Sequence, residues 1–220
     1  MLFDMDGTLI DSERLWDVAL AELAGHYGGV LSPGARRAMV GAGMAQAMAI
    51  LYDDLGQPWR DADFGAAWLQ RRVAQLFATE LRWRPGARRF LRVVRDAGIP
   101  TALVTSTARD LVEVALETLG RDNFDVVVCG DEVSAPKPDP MPYLTAARRL
   151  AVPIRRCVAV EDSPTGVASA RAAGAAVLAV PSVVALAPQV GVCLLDSLMR
   201  ADLGLLAALL GAPDRVDVDV

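Results

Sequence analysis

Histidine and lysine are nearly missing from this chain of 220 residues: each occurs once, as His26 and Lys137. One histidine cannot build a multi-histidine metal centre, and it argues against a Ser-His-Asp triad. Cysteine is scarce as well. Cys129, Cys157 and Cys193 lie far apart, with neither the paired spacing of a zinc site nor a disulfide framework. They read as small core residues of a reduced compartment. Positive charge is not in excess: the net charge is −5, which argues against nucleic-acid and anionic-membrane partners. The longest uncharged stretch, Ala172 to Leu195, is broken by Gly174, Pro181, Pro188 and Gly191. It reads as two buried strands with a connection, not as a membrane helix. A basic leader with an apolar segment is also lacking ahead of Asp4, so a cytoplasmic location is expected.

What is present in quantity is apolar: 53% of the residues are hydrophobic, enough for a substantial core. Every basic residue except Lys137 is arginine. Arginine has been used wherever any cation would serve, so the lone ammonium marks a place that needs a compact point charge. Pro136 and Pro138 flank it and hold it stiffly, which suggests a preorganised anion contact.

Residues 13–80 show helical periodicity and no strand-like alternation. Helices are predicted over about Glu13–Tyr27, from Ser32-Pro33, over Met44–Leu55 and over Asp61–Phe77. From residue 81 onward helices alternate with β-rich runs at Ile99–Val104, Asp125–Cys129, Cys157–Val160, Ala176–Val180 and Val192–Leu195, and a closing helix runs from about Ser197 to Leu210. That rhythm predicts an α/β fold, a doubly wound, Rossmann-like parallel sheet covered by helices on both faces. The expected division is a core of residues 1–12 and 81–220 with an inserted all-helical cap at 13–80. Ligands of such sheets bind at the carboxyl ends of the strands, beside the switch point.

The strand ends carry the chemistry. The first apolar run ends in Asp4-Met5-Asp6-Gly7-Thr8. Extended chain would turn both carboxylates one way and Met5 the other, into the core. Two like charges so close imply a bound cation or a shared proton. A carboxylate can attack phosphorus, and a second can protonate the leaving oxygen and then activate water. The second strand ends in Thr105-Ser106-Thr107, hydroxyls suited to a phosphoryl group, with Thr107 read as an ordinary helix cap. The fourth ends in Glu161-Asp162-Ser163-Pro164, where Ser163 and Pro164 suit a helix start. The adjacent carboxylates are not needed for that start, and hard oxygen donors of this kind suit Mg²⁺.

In this order the residues resemble the haloacid dehalogenase superfamily, in particular its β-phosphoglucomutase-like phosphatases, over nearly the whole chain. The resemblance implies Asp4 as nucleophile and Asp6 as general acid/base. It implies Thr105, the Ser106 amide and Lys137 as phosphoryl contacts, with Lys137 also part of the catalytic set. Asp4, the Asp6 carbonyl and Asp162 would hold Mg²⁺, with Glu161 bound directly or through water. Two departures favour hydrolysis over phosphoryl return: Trp16 stands where the mutases carry a histidine, and Met44 where they carry an arginine for a distal phosphate. The reading is thus a Mg²⁺-dependent phosphatase of small phosphorylated metabolites, sugars or polyols, a monomer or weak dimer. A sugar-phosphate mutase and a catalytically silent binding protein on the same fold are the alternatives.

Other features read as structural. Gly41-Ala42-Gly43 lacks a third glycine and a preceding strand, and reads as a cap turn facing the site. Arg88, Arg92 and Arg95 share a helical face flanked by Glu80 and Asp96, and read as a solvated surface. Met39, Met44 and Met48 read as packing. Only three residues precede Asp4, so the first strand is expected to be short and frayed, or the chain to begin a few residues late.

Overall fold

The structure is a computed structural model and describes residues 1–211. The apolar runs pair as six strands: β1 (Leu2–Phe3), β2 (Ala102–Val104), β3 (Val126–Val128), β4 (Val158–Glu161), β5 (Ala176–Ala179) and β6 (Val192–Leu194). All pairings are parallel, in the order β3-β2-β1-β4-β5-β6. Successive residues go to opposite faces. Leu2, Ala102 and Val104 pack into one apolar cluster, while Phe3 and Leu103 pack into the other. The first cluster is covered by α7 (Met141–Arg149) and α8 (Pro164–Ala173). The second is covered by α5 (Ala87–Asp96) and α6 (Arg109–Leu119), with Phe90 of α5 edge-on to Phe3 at 6.1 Å. A sheet apolar on both faces needs this double cover.

β1 has two residues, yet it is not frayed. Leu2 and Phe3 pair with β2 on one side and β4 on the other and are fully buried. The Ala102 amide donates to Met1 O at 2.9 Å, and the Asp4 amide donates to Val160 O at 3.0 Å.

Between β1 and α5 lie α1 (Glu13–His26), α2 (Pro33–Met39), α3 (Met44–Asp54) and α4 (Ala62–Glu80). Leu15, Ala19 and Leu23 of α1 and Leu69, Val73 and Phe77 of α4 are buried in the interface of this helical insert. Met48 is fully buried and Met39 nearly so, as packing residues should be. Two expected helix starts carry side-chain caps, and a third cap falls on Asp61. The Ser32 and Ser163 hydroxyls accept from Ala35 N and Gly166 N, and Asp61 accepts from Asp63 N and Phe64 N.

The predicted closing helix is interrupted. A short turn of 3₁₀ helix, Leu198–Arg200, precedes α9 (Leu203–Gly211). Two polar side chains start two separate elements: Ser197 Oγ accepts from Met199 N, and Asp202 Oδ1 accepts from Leu205 N. The chain between them is extended at Ala201. This turn sits on Gly86, whose φ of +82° and open α-carbon let Met199 N approach to 2.3 Å of where a Cβ would lie. No helix among the described residues is long and apolar enough to cross a membrane. Cys129 and Cys157 are buried, Cys193 is half-buried, and all three are free.

Candidate active site

The strand order reverses at β1, so a crevice opens at its carboxyl end between β2 and β4. Asp4 follows β1 directly and is buried. Met5 turns into the core, as the alternation predicts. The chain then turns at Gly7, which has φ +72° and a missing Cβ that would lie 2.1 Å from Asp162 Oδ2. Glycine is therefore needed twice over, for the turn and for the carboxylate opposite. Gly7→Ala should push the Asp162 carboxylate aside and strain the turn, lowering the unfolding midpoint read by thermal denaturation.

Lys137 reaches across from the loop before α7. Its Nζ donates to Asp4 Oδ1 at 2.7 Å, Glu161 Oε1 at 2.6 Å and Val104 O at 2.9 Å. All three ammonium protons are thus used, and the peptide joining it to Pro138 is cis. Glu161, at the end of β4, is equally engaged. Oε1 also accepts from Tyr143 Oη at 2.5 Å, and Oε2 accepts from Ser163 Oγ and the Asp162 amide. Gly166 lies against this carboxylate, leaving no room for a side chain. Asp162 is held more loosely, accepting from Thr8 Oγ1 at 3.4 Å.

Asp4, Glu161 and Asp162 each bring one oxygen within 4.8 Å of the others. Three buried carboxyls therefore face one ammonium. Burial above all, then Glu161, pushes Asp4 up to about 7 despite the pull of Lys137. Burial, then Asp4 and Glu161, hold Asp162 well above the usual carboxylate range. Burial opposes the charge on Lys137, but its two carboxylate partners outweigh burial and raise its pKa.

Asp6 belongs to a different network. Its Oδ1 accepts from Trp16 Nε1 at 3.3 Å, and its Oδ2 accepts from Thr107 Oγ1 at 2.7 Å and Thr105 Oγ1 at 3.3 Å. The local reading of Thr107 as a helix cap is wrong: Ala108 occupies that position, and Thr107 holds Asp6 instead. Ser106 lines the cavity, and its carbonyl packs on Gly130.

The crevice is a cavity of about 530 Å³. Asp4, Asp6, Thr105 and Lys137 form its floor. The helical insert supplies an apolar wall that includes Trp16, Leu20, Met44 and Leu69, with the Gly41–Gly43 turn at the rim.

Three residues of these networks escaped the sequence reading. Thr107 was visible but assigned locally, and Trp16 was noted only as a departure. Tyr143 gave no signal beyond being one of three tyrosines, on the helix after the lysine loop. Tyr143→Phe removes a buried donor from Glu161 and should cost about 1–3 kcal/mol of stability, measured by urea unfolding.

A Rossmann-like sheet with a helical insert, and an acidic cluster with one buried lysine at its switch point, defines a hydrolase of a recognisable kind. The family model for haloacid dehalogenase-like hydrolases matches residues 1–174, and the chain belongs to that family. Over 178 residues it is 35% identical to a phosphorylated carbohydrates phosphatase of Thermotoga maritima, covering 79% of this chain and 81% of that one. It is 32% identical over 184 residues to a bifunctional riboflavin kinase/FMN phosphatase of Arabidopsis thaliana. That match covers 83% of this chain and 48% of the longer protein, so the chain spans about half of that relative. The fold is also that of β-phosphoglucomutase from Clostridium difficile, with a TM-score of 0.80 over 95% of each chain at 17% identity. Within the family the chain is a phosphoric monoester hydrolase.

Proposed function

We propose that this protein is a Mg²⁺-dependent phosphatase of small phosphorylated metabolites, sugar or polyol phosphates foremost, working through an aspartyl phosphate on Asp4. The observation that carries the reading is the convergence of three buried carboxyls and one fully engaged ammonium beside Asp6. The name of the Thermotoga maritima relative supports the substrate class.

The donor set fits a hard divalent cation, since every group is a carboxylate oxygen and one lysine cannot neutralise three of them. Asp4, Asp162 and the Asp6 carbonyl are the expected ligands. Both Glu161 oxygens already accept hydrogen bonds, which favours contact through water. Bound there, Mg²⁺ would neutralise charge on the transferred phosphoryl group.

In the first step an Asp4 oxygen attacks phosphorus, the ester P–O bond breaks, and Asp6 gives its proton to the leaving oxygen. In the second step Asp6 takes a proton from water, which attacks the same phosphorus and returns Asp4 as a carboxylate. Trp16, Thr105 and Thr107 keep Asp6 in place for both transfers. Lys137 fixes Asp4 and, with Thr105 and Ser106, meets the phosphoryl oxygens. Residues 13–80 act as the cap over this site, and the flanking segments as the core. The same reading makes the protein a cytoplasmic monomer or weak dimer without nucleic-acid or membrane partners, in keeping with its net charge of −5.

Phosphate release from a panel of sugar, polyol and nucleoside monophosphates tests the reading. Release that needs Mg²⁺ and leaves no phosphorylated isomer is expected. Isomer formation without net release would mean a mutase, and silence across the panel would mean a binding protein.

Metal affinity should depend on pH. A carboxyl whose pKa is higher in the folded than in the unfolded chain is stabilising when protonated, and that stability is lost as pH rises. For Asp4 the window runs from its ordinary value near 4 up to about 7. The metal-free protein should therefore lose stability across that window, while Mg²⁺ binds more tightly as protons leave. Thermal melts with and without Mg²⁺ at about pH 5.5 and pH 8 should show the larger metal-induced rise at the higher pH.

A further inference from the structure

We propose that the ion pair between Glu13 and Arg36 selects the substrate class, admitting phosphate monoesters of neutral alcohols and disfavouring esters that carry a second anionic group. The inference rests on the phosphatase reading and goes beyond it to the leaving group.

Two cationic side chains line the cavity, Lys137 on its floor and Arg36 on the helical side. The ammonium of Lys137 is held on the floor by Asp4, Glu161 and a carbonyl, where the transferred phosphoryl group meets it, so it does not serve a second anion. Arg36 is engaged through two of its three nitrogens. Its Nη2 donates to Glu13 Oε2 and, at 3.4 Å, to the Glu13 carbonyl, and its Nε donates to Asp17 Oδ1. Two carboxylates thus neutralise one guanidinium, joining α1 to α2 across the cavity wall.

An incoming anion would meet a guanidinium whose charge two carboxylates already offset, and it could take over the Nη2 contact only by displacing Glu13. The Glu13 side chain is 13% exposed, so it would be left desolvated and unpaired, an expensive state for a carboxylate. Burial, the largest cause, already holds its pKa above the ordinary value despite the pull of Arg36. Beyond Arg36 the cavity offers Gln46, Gln70 and a largely apolar wall, which suit hydroxyls and a carbon skeleton. Asp131 at the rim adds further repulsion.

Sorbitol phosphate and phosphogluconate differ at one end, alcohol against carboxylate, and serve as the probes. The wild type should favour sorbitol phosphate by about tenfold or more in kcat/KM. Glu13→Gln leaves Arg36 with only the exposed Asp17 and should shrink that preference about tenfold, mainly through KM for phosphogluconate. The double change Glu13→Gln with Arg36→Met removes both charges of the pair together and should keep the wild-type preference, which also covers the case in which Glu13→Gln alone does not fold. Calorimetric binding of both esters in the Asp4→Asn background reads the same ratios without chemistry. The inference is overturned if wild type handles both esters equally, if folded Glu13→Gln keeps the ratio, or if the double variant selectively loses phosphogluconate. Failure to release phosphate from any monoester in the panel would instead count against the phosphatase reading.

Discussion

Asp4→Asn is expected to lower phosphate release by on the order of ten-thousand-fold while leaving the protein at least as stable as wild type at neutral pH. The loss follows from chemistry: an amide oxygen is a poor nucleophile and cannot carry the phosphoryl group. The retained stability follows from electrostatics. Asp4 is a buried carboxyl pushed up to about 7, so its ionised form burdens the fold, and the substitution removes that charge at nearly constant shape. Lys137 keeps Glu161 as its counter-ion. Phosphate release and urea unfolding on one preparation separate the two effects. Activity within tenfold of wild type would remove Asp4 from the nucleophile's role.

The second large effect is expected at Lys137. Lys137→Met leaves Asp4 and Glu161 buried without their shared cation, and breaking such a pair costs about 3–5 kcal/mol. The loss should depend on pH in a defined direction. Lys137 holds down the pKa of Asp4, which already stands at about 7. Without it Asp4 escapes the cost by taking up a proton more readily near pH 5.5 than near pH 8, so the destabilisation should be larger at about pH 8. Turnover should fall with it, because Asp4 loses the contact that fixes Oδ1. Equal losses at both pH values, or a loss under about 1 kcal/mol, would mean that Lys137 is not the counter-charge of the site.

The fold was largely legible because its signals are local. Strand and helix periods differ, Ser163-Pro164 and Ser32-Pro33 announce helix starts, and the break between β1 and the later strands announces an insert. Lys137 could be found by scarcity alone. What could not be read was side-chain partnership across long separations. Thr107 donates to Asp6, and Tyr143 to Glu161, through contacts that exist only once the sheet has formed. A helix-cap reading of Thr107 was reasonable from its neighbours and failed because a distant carboxylate competes for the hydroxyl. The break before α9 was missed for a related reason, since Asp202 looks like any polar residue until it caps a helix. The neutralisation of Arg36 by Glu13 and Asp17 is likewise tertiary, joining two helices.

The covalent step is the centre of this account, and acid quenching during the first turnover tests it most directly. Wild type mixed with Mg²⁺ and an active monophosphate should yield one phosphoryl group on the peptide bearing Asp4, labile to hydroxylamine as an acyl phosphate is. Turnover with no adduct on that peptide, or with the group on another residue, would contradict it.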